Sequence, residues 1–185
     1  MITISRFLVA ILLVSLSGCS NSTEELAHRI PGLMPVDIYK NLTDRGFTKK
    51  GPELIRKDVD SPNAGNATWF LKRYDLEECY YDATLYGENA SSLYQIVANV
   101  DCPQNAHLLH KESQDFFRYL ASLPYIDSNP NYAQSWIDEN ISKGETEVII
   151  GSAKFILRNE KLSSTLIIES LDNQELQDKF YATLN

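Results

Sequence analysis

"ECYYDATLYG" (residues 78–87) and "YQIVANVDCP" (residues 94–103) decide how this chain is read. Both stretches are rich in aromatic and β-branched residues, the composition of a strand. The turn-rich "ENASS" lies between them. Folded as an antiparallel hairpin with Cys79 opposite Cys102, they set Tyr81 against Val100, Ala83 against Ala98 and Leu85 against Ile96. That side is apolar. The other side pairs Tyr80 with Asp101, Asp82 with Asn99, Thr84 with Val97 and Tyr86 with Gln95, and is mostly polar. Side chains alternate with a period of two, so a slip of one residue would destroy the cysteine pairing and the alternation together. Cβ atoms directly opposed at ~4.5–5.5 Å can be adapted to a bridge. A disulfide at this spacing would stabilise the chain by about 3 kcal/mol. The competing reading is a redox pair. No C-x-x-C is present, and such pairs usually sit at a helix N-terminus, so the structural bridge is the favoured reading.

Outward from the hairpin the period changes. On its N-terminal side, Pro35 suits a first helical turn, and Val36, Ile38, Tyr39 and Leu42 form an apolar stripe. Gly46 fits the left-handed residue that ends a helix, and Phe47 starts an extended segment. "SPNAGN" (61–66) reads as a loop and "ATWFLKRY" (67–74) as a strand. On its C-terminal side, Leu109, Phe116, Leu120 and Leu123 share a helical face that Pro124 ends. "SNPNYAQSWIDENISKG" (128–144) predicts a second helix with Asn129 as N-cap, Pro130 at the first position and Gly144 as C-cap. "TEVII" and "AKFIL" flank Gly151-Ser152, the pattern of a type II′ hairpin. It sets Val148 against Phe155, Ile150 against Ala153 and Thr146 against Leu157. A second hairpin turns at "NEKLSS", setting Leu157 against Leu166 and Phe155 against Ile168. "DNQELQDKFYATL" (172–184) reads as a closing helix.

The expected fold class is therefore α+β, with antiparallel strand meanders packed under helices. Element order divides the domain (34–185) into two α-β-meander halves, 34–104 and 105–185, in one sheet. This order resembles small envelope α+β lipoproteins and the tandem-repeat β-lactamase-inhibitor-type fold. That likeness implies an architecture and no activity.

The N-terminus addresses the chain. Arg6 precedes the apolar run "FLVAILLVSL" (7–16), too short to span ~30 Å of hydrocarbon but suited to a secretory signal. Leu16-Ser17-Gly18-Cys19 follows at once and resembles the lipobox of bacterial lipoprotein precursors. The resemblance implies a signal peptide (1–18), a diacylglyceryl group on the Cys19 thiol, N-acylation (palmitate) of the new terminus, and a lipidated tether (19–33). Ser20 in place of Asp implies, in a Gram-negative envelope, sorting to the outer membrane, facing the periplasm. The membrane would then be a partner through several acyl chains, at ~0.8 kcal/mol per buried CH₂. The unlipidated signal peptide is the weaker alternative. Cys79 and Cys102 would lie where disulfides persist.

The whole chain carries 17 basic and 25 acidic residues, net −8. An acidic chain is repelled by phosphate, so nucleic acid is not an expected partner. His107 and His110 stand three apart near Glu112, a spacing that can share a metal, but no H-E-x-x-H is present. A solvated helix start is the favoured reading, and no metal or cofactor is expected. No G-x-S-x-G, P-loop or G-x-G-x-x-G occurs. Tyrosines beside acids suit protein recognition, with large area and few torsions. Tyr80, Asp82, Tyr86 and Asn99 are the candidate binding residues. The expected function is a non-enzymatic protein-binding module of the envelope, of assembly, inhibitor or immunity type, with an envelope protein as partner. The alternative is an envelope hydrolase with a scattered carboxylate or histidine-metal site.

Overall fold

The computed structural model describes residues 29–54, 66–74, 79–88 and 92–171. Cys19, the signal peptide, the 61–65 part of the "SPNAGN" loop and the closing helix at 172–184 lie outside the described residues.

Helix α1 (Pro35–Asp44) opens the fold. Gly46, at φ +87°, ends it. The Phe47 N–H bonds the Leu42 carbonyl and the Gly46 N–H bonds that of Thr43. This is a Schellman closure, and Leu42 and Phe47 are both buried beside it. Four strands follow: β1 (Thr48–Leu54), β2 (Asn66–Tyr74), β3 (Tyr80–Glu88) and β4 (Ser92–Asp101). Helices α2 (Ala106–Ala121) and α3 (Pro130–Asn140) come next. Strands β5 (Glu145–Ile150), β6 (Ala153–Asn159) and β7 (Ser163–Ser170) finish the described chain.

All seven strands form one antiparallel sheet, in the order β1-β2-β3-β4-β7-β6-β5. Each meander delivers its last strand to the middle, where β4 pairs with β7. Ile96 lies opposite Ile168, and Ala98 opposite Leu166. The fold is α+β, with two meanders sharing one sheet. The first half contributes one described helix and the second two.

The hairpin register is the one the alternation requires. Tyr80 pairs with Asp101, Ala83 with Ala98 and Leu85 with Ile96, and the register shifts only between Tyr86 and Gly87. A Cβ at Gly87 would collide with the Ser92 carbonyl and press on the Trp69 ring, so the shift needs glycine. The sulfurs of Cys79 and Cys102 lie 2.07 Å apart and their Cα atoms 4.3 Å apart. The β5–β6 and β6–β7 hairpins also take the expected pairs: Val148 with Phe155, Thr146 with Leu157, and Leu157 with Leu166. Gly151, at φ +58°, makes the first turn, while Ser152 stays out of the positive-φ region, as type II′ requires.

The core lies between the apolar face of the sheet and the helices. Leu71, Ala83, Leu85, Ile96, Phe155, Leu157 and Leu166 meet Ile38, Phe117, Leu120 and Ile137, all fully buried. Within it, Tyr81 brings a polar group. Its hydroxyl donates to Glu112 Oε2 at 2.7 Å. Its ring packs edge-on against Phe47 and Phe116, and the Arg73 guanidinium lies 4.2 Å from its centroid. Burial first, and then Glu112, push the Tyr81 hydroxyl pKa up, so it stays a donor at any ordinary pH.

Three expectations are corrected. The helix expected to end at Gly144 ends at Asn140, with Ile141 as its C-cap. Gly144 is absent from the positive-φ glycines and sits in the turn before β5, because the buried stripe of Ala133, Trp136, Ile137 and Ile141 ends at Ile141 and residues 142–144 are exposed. Leu123 is buried but lies beyond the end of α2. The tether expected to reach residue 33 stops sooner. Ile30 and Leu33 belong to the core, the Ile30 N–H donates to the Leu93 carbonyl, and the Pro31 carbonyl accepts from Ile126. Two apolar side chains framing a Pro-Gly turn are enough to pull that segment in.

Candidate functional site

The described helices all pack on the apolar face of the sheet, and no described helix covers the polar face. Strands β3 and β4 bring Tyr80, Asp82, Tyr86 and Asn99 together on that polar face, since all four share one side-chain parity. Tyr80 is 42% exposed, while Asp82, Tyr86 and Asn99 are half-buried.

Hydrogen bonds run across the strands and fix these groups. Asn99 Nδ2 donates to Asp82 Oδ1 at 2.9 Å, and Thr165 Oγ1 donates to Asn99 Oδ1 at 2.8 Å. The ladder Asp82–Asn99–Thr165 spans β3, β4 and β7, and it defines which end of the Asn99 amide is oxygen. One level along, Gln95 Nε2 donates to Glu169 Oε2 at 2.9 Å, and Tyr86 stacks on Tyr94 with centroids 6.2 Å apart. Trp69 belongs to the other face, where it is buried; the Tyr74 side chain lies outside the described residues. The result is a rigid polar ladder that leaves Asp82 lone pairs and tyrosine surface for a partner's donors and apolar groups.

A largely apolar row crosses the same face. Phe70, Thr84, Val97, Ile167 and Ile156 lie side by side on consecutive strands, and Ile156 and Ile167 are each only 9% exposed. Strand-by-strand reading does not find this row, because its members come from both meanders. The signal was available in "FIL" and "TLII", where apolar residues run on without alternating.

Asp101, opposite Tyr80, has its carboxyl raised above the ordinary 3.8, first by burial, then by Asp82 and Glu160. The fold disfavours its charged form, so the stability this group allows is fully present below pH 3.8 and falls as pH rises through the raised value. Asp101→Asn should therefore raise the melting temperature at pH 7 and leave it unchanged near pH 3. Calorimetry at the two pH values checks this, and an equal effect at both would refute it.

The histidines are exposed on α2. His110 borders a cleft of about 240 Å³ whose lining includes Lys143, Asn159, Glu160 and Ser164. Glu112 faces Tyr81 instead. Among the described residues no three His, Cys, Asp or Glu side chains gather closely enough to hold a metal, and the cleft lining includes one carboxylate, Glu160. No helix among the described residues is long and apolar enough to cross a membrane.

Comparison of the chain with protein-family models, curated proteins and solved structures finds no match in any of the three.

Proposed function

We propose that this chain is a lipid-anchored, non-enzymatic interaction module of the cell envelope, tethered through Cys19 to the outer membrane and facing the periplasm. It would hold a protein partner on the polar face of β3 and β4. The observation that carries the reading is the cross-strand ladder of Asp82, Asn99 and Thr165 beside exposed Tyr80, on a face that no described helix covers.

The direction of chain entry supports it. The Ile30 N–H bonds the carbonyl of Leu93, at the start of β4, whereas Cys102, Asp101 and Tyr80 mark the opposite end of the hairpin. A strand of this length spans about 30 Å. Arg29 lies ten positions after Cys19, at most about 35 Å of chain. An anchor at Cys19 would therefore attach at the entry end of the hairpin, opposite the end that carries Tyr80.

The test has two arms. Labelled palmitate should enter the wild-type chain and not a Cys19→Ser variant. Affinity purification of the full chain from membranes should retain a protein that Asp82→Lys and Tyr80→Ala both release, while Lys143→Ala keeps it. Absence of label from the wild type would refute the anchor. Equal retention by all variants would refute the binding face.

A further inference from the structure

The two edges of the sheet are built differently. β1 carries Lys49 and Lys50, a cis Gly51-Pro52 peptide, and a break in pairing between Lys50 and Glu53. Lysine, proline and irregular pairing each discourage another strand from adding to an edge. β5, at the other edge, reads "ETEVII" and pairs with β6 without a shift from Glu145 to Ile150. It has no lysine, proline or bulge.

The turn shows which main-chain groups face outward. Ile150 and Ala153 flank the two-residue turn and form its hydrogen-bonded closing pair, so the N–H and C=O groups of Ile150, Val148 and Thr146 face β6. Those of Glu145, Glu147 and Ile149 point away from the sheet. No described segment pairs with them.

We propose that this edge docks an extended, basic segment of a partner protein, which joins the sheet as an added strand. A strand edge defines its occupant more narrowly than an apolar patch does, because another extended main chain best satisfies alternating donors and acceptors. The side chains set the chemistry. Glu145 and Glu147 have cations on their β6 side, Arg158 at 3.2 Å and Lys154 at 3.5 Å, and their side chains remain 62% and 63% exposed. Lysine or arginine opposite them would place positive charge on the open side as well. On the other face Val148 is half-buried, and Thr146 Oγ1 is buried without a hydrogen-bond partner. Valine or threonine fits there. A second copy of the chain fits worse. The two-fold register that pairs all three outward residues sets Glu147 against Glu147, between two acidic chains.

This surface is distinct from the polar face of β3 and β4, since three strands separate β3 from β5. The test uses the purified full chain and a short synthetic peptide alternating lysine with valine. The peptide should bind and slow amide exchange at Glu145, Glu147 and Ile149 at least tenfold. The same peptide with N-methylated lysines should bind at least tenfold more weakly. Glu147→Pro removes an outward N–H and a carboxylate that faces the occupant, and no main-chain bond to β6, and should weaken binding at least tenfold. Ile149→Lys provides a second variant with the same expected direction, and Tyr80→Ala should bind the peptide as the wild type does. No binding, or binding unchanged in both edge variants, would overturn the proposal. So would outward amides already protected in the free chain and released on dilution, the behaviour of a self-paired dimer.

Discussion

Phe155→Ala is expected to lower the unfolding free energy by about 4 kcal/mol, seen as a lower urea midpoint with an unchanged slope. Phe155 is fully buried. Its ring lies 5.8 Å from that of Tyr125 and 6.4 Å from that of Trp136. Its strand neighbours are Val148 and Ile168, and Ile168 in turn faces Ile96 across the seam between the halves. The vacated space is thus bounded by a helix, a loop and the centre of a continuous sheet, none of which can collapse without moving the others. Ile149→Ala, on the exposed side of β5, should stay within about 0.5 kcal/mol. A loss under 1 kcal/mol at Phe155 would mean that the second meander does not share this core.

Removing the bridge should have the next largest effect. Cys79→Ser together with Cys102→Ser is expected to cost about 3 kcal/mol, because the closed loop of 23 residues no longer restricts the unfolded chain. The hairpin should keep its register. Ala83, Leu85, Ile96 and Ala98 are fully buried on its inner side, and a one-residue slip would carry all of them to the outer face. Cross-strand contacts of Ala83 with Ala98 and of Leu85 with Ile96 should therefore persist in NMR spectra while the denaturant midpoint falls. Loss of those contacts would show that the bridge, and not the burial, sets the alignment.

Much of the architecture was legible because it is local. Gly46, Asn129, Pro130 and Gly151 act within one turn of chain, so their chemistry marks boundaries without outside help. Asn129 Oδ1 does accept the Tyr132 N–H. Gly144 misled because a glycine near a helix end need not be its cap. The last turn stops where burial stops. Ile30 and Leu33 were hidden in a polar stretch, since two apolar residues around Pro-Gly have no period to detect.

The candidate face was half legible. Alternation in the β3–β4 hairpin placed Tyr80, Asp82, Tyr86 and Asn99 on one side, and that follows from the pleat alone. Their partners Thr165 and Glu169 lie 66 and 74 residues away in sequence from Asn99 and Gln95, and no local rule links such positions. The same holds for the Tyr81–Glu112 bond. The apolar side of the hairpin could be recognised from the sequence, but the acid that satisfies its one hydroxyl could not.

The sequence by itself determined the strands, their hairpin registers, the cysteine pairing and the capped helices, because each depends on residues close together or on a period of two. Only the tertiary structure decided that β4 meets β7, that the described helices all pack on the apolar face, and that the two edge strands are built differently. Those outcomes depend on which apolar surfaces bury each other across the chain, and hydrophobic burial has no direction or spacing that a linear pattern can record.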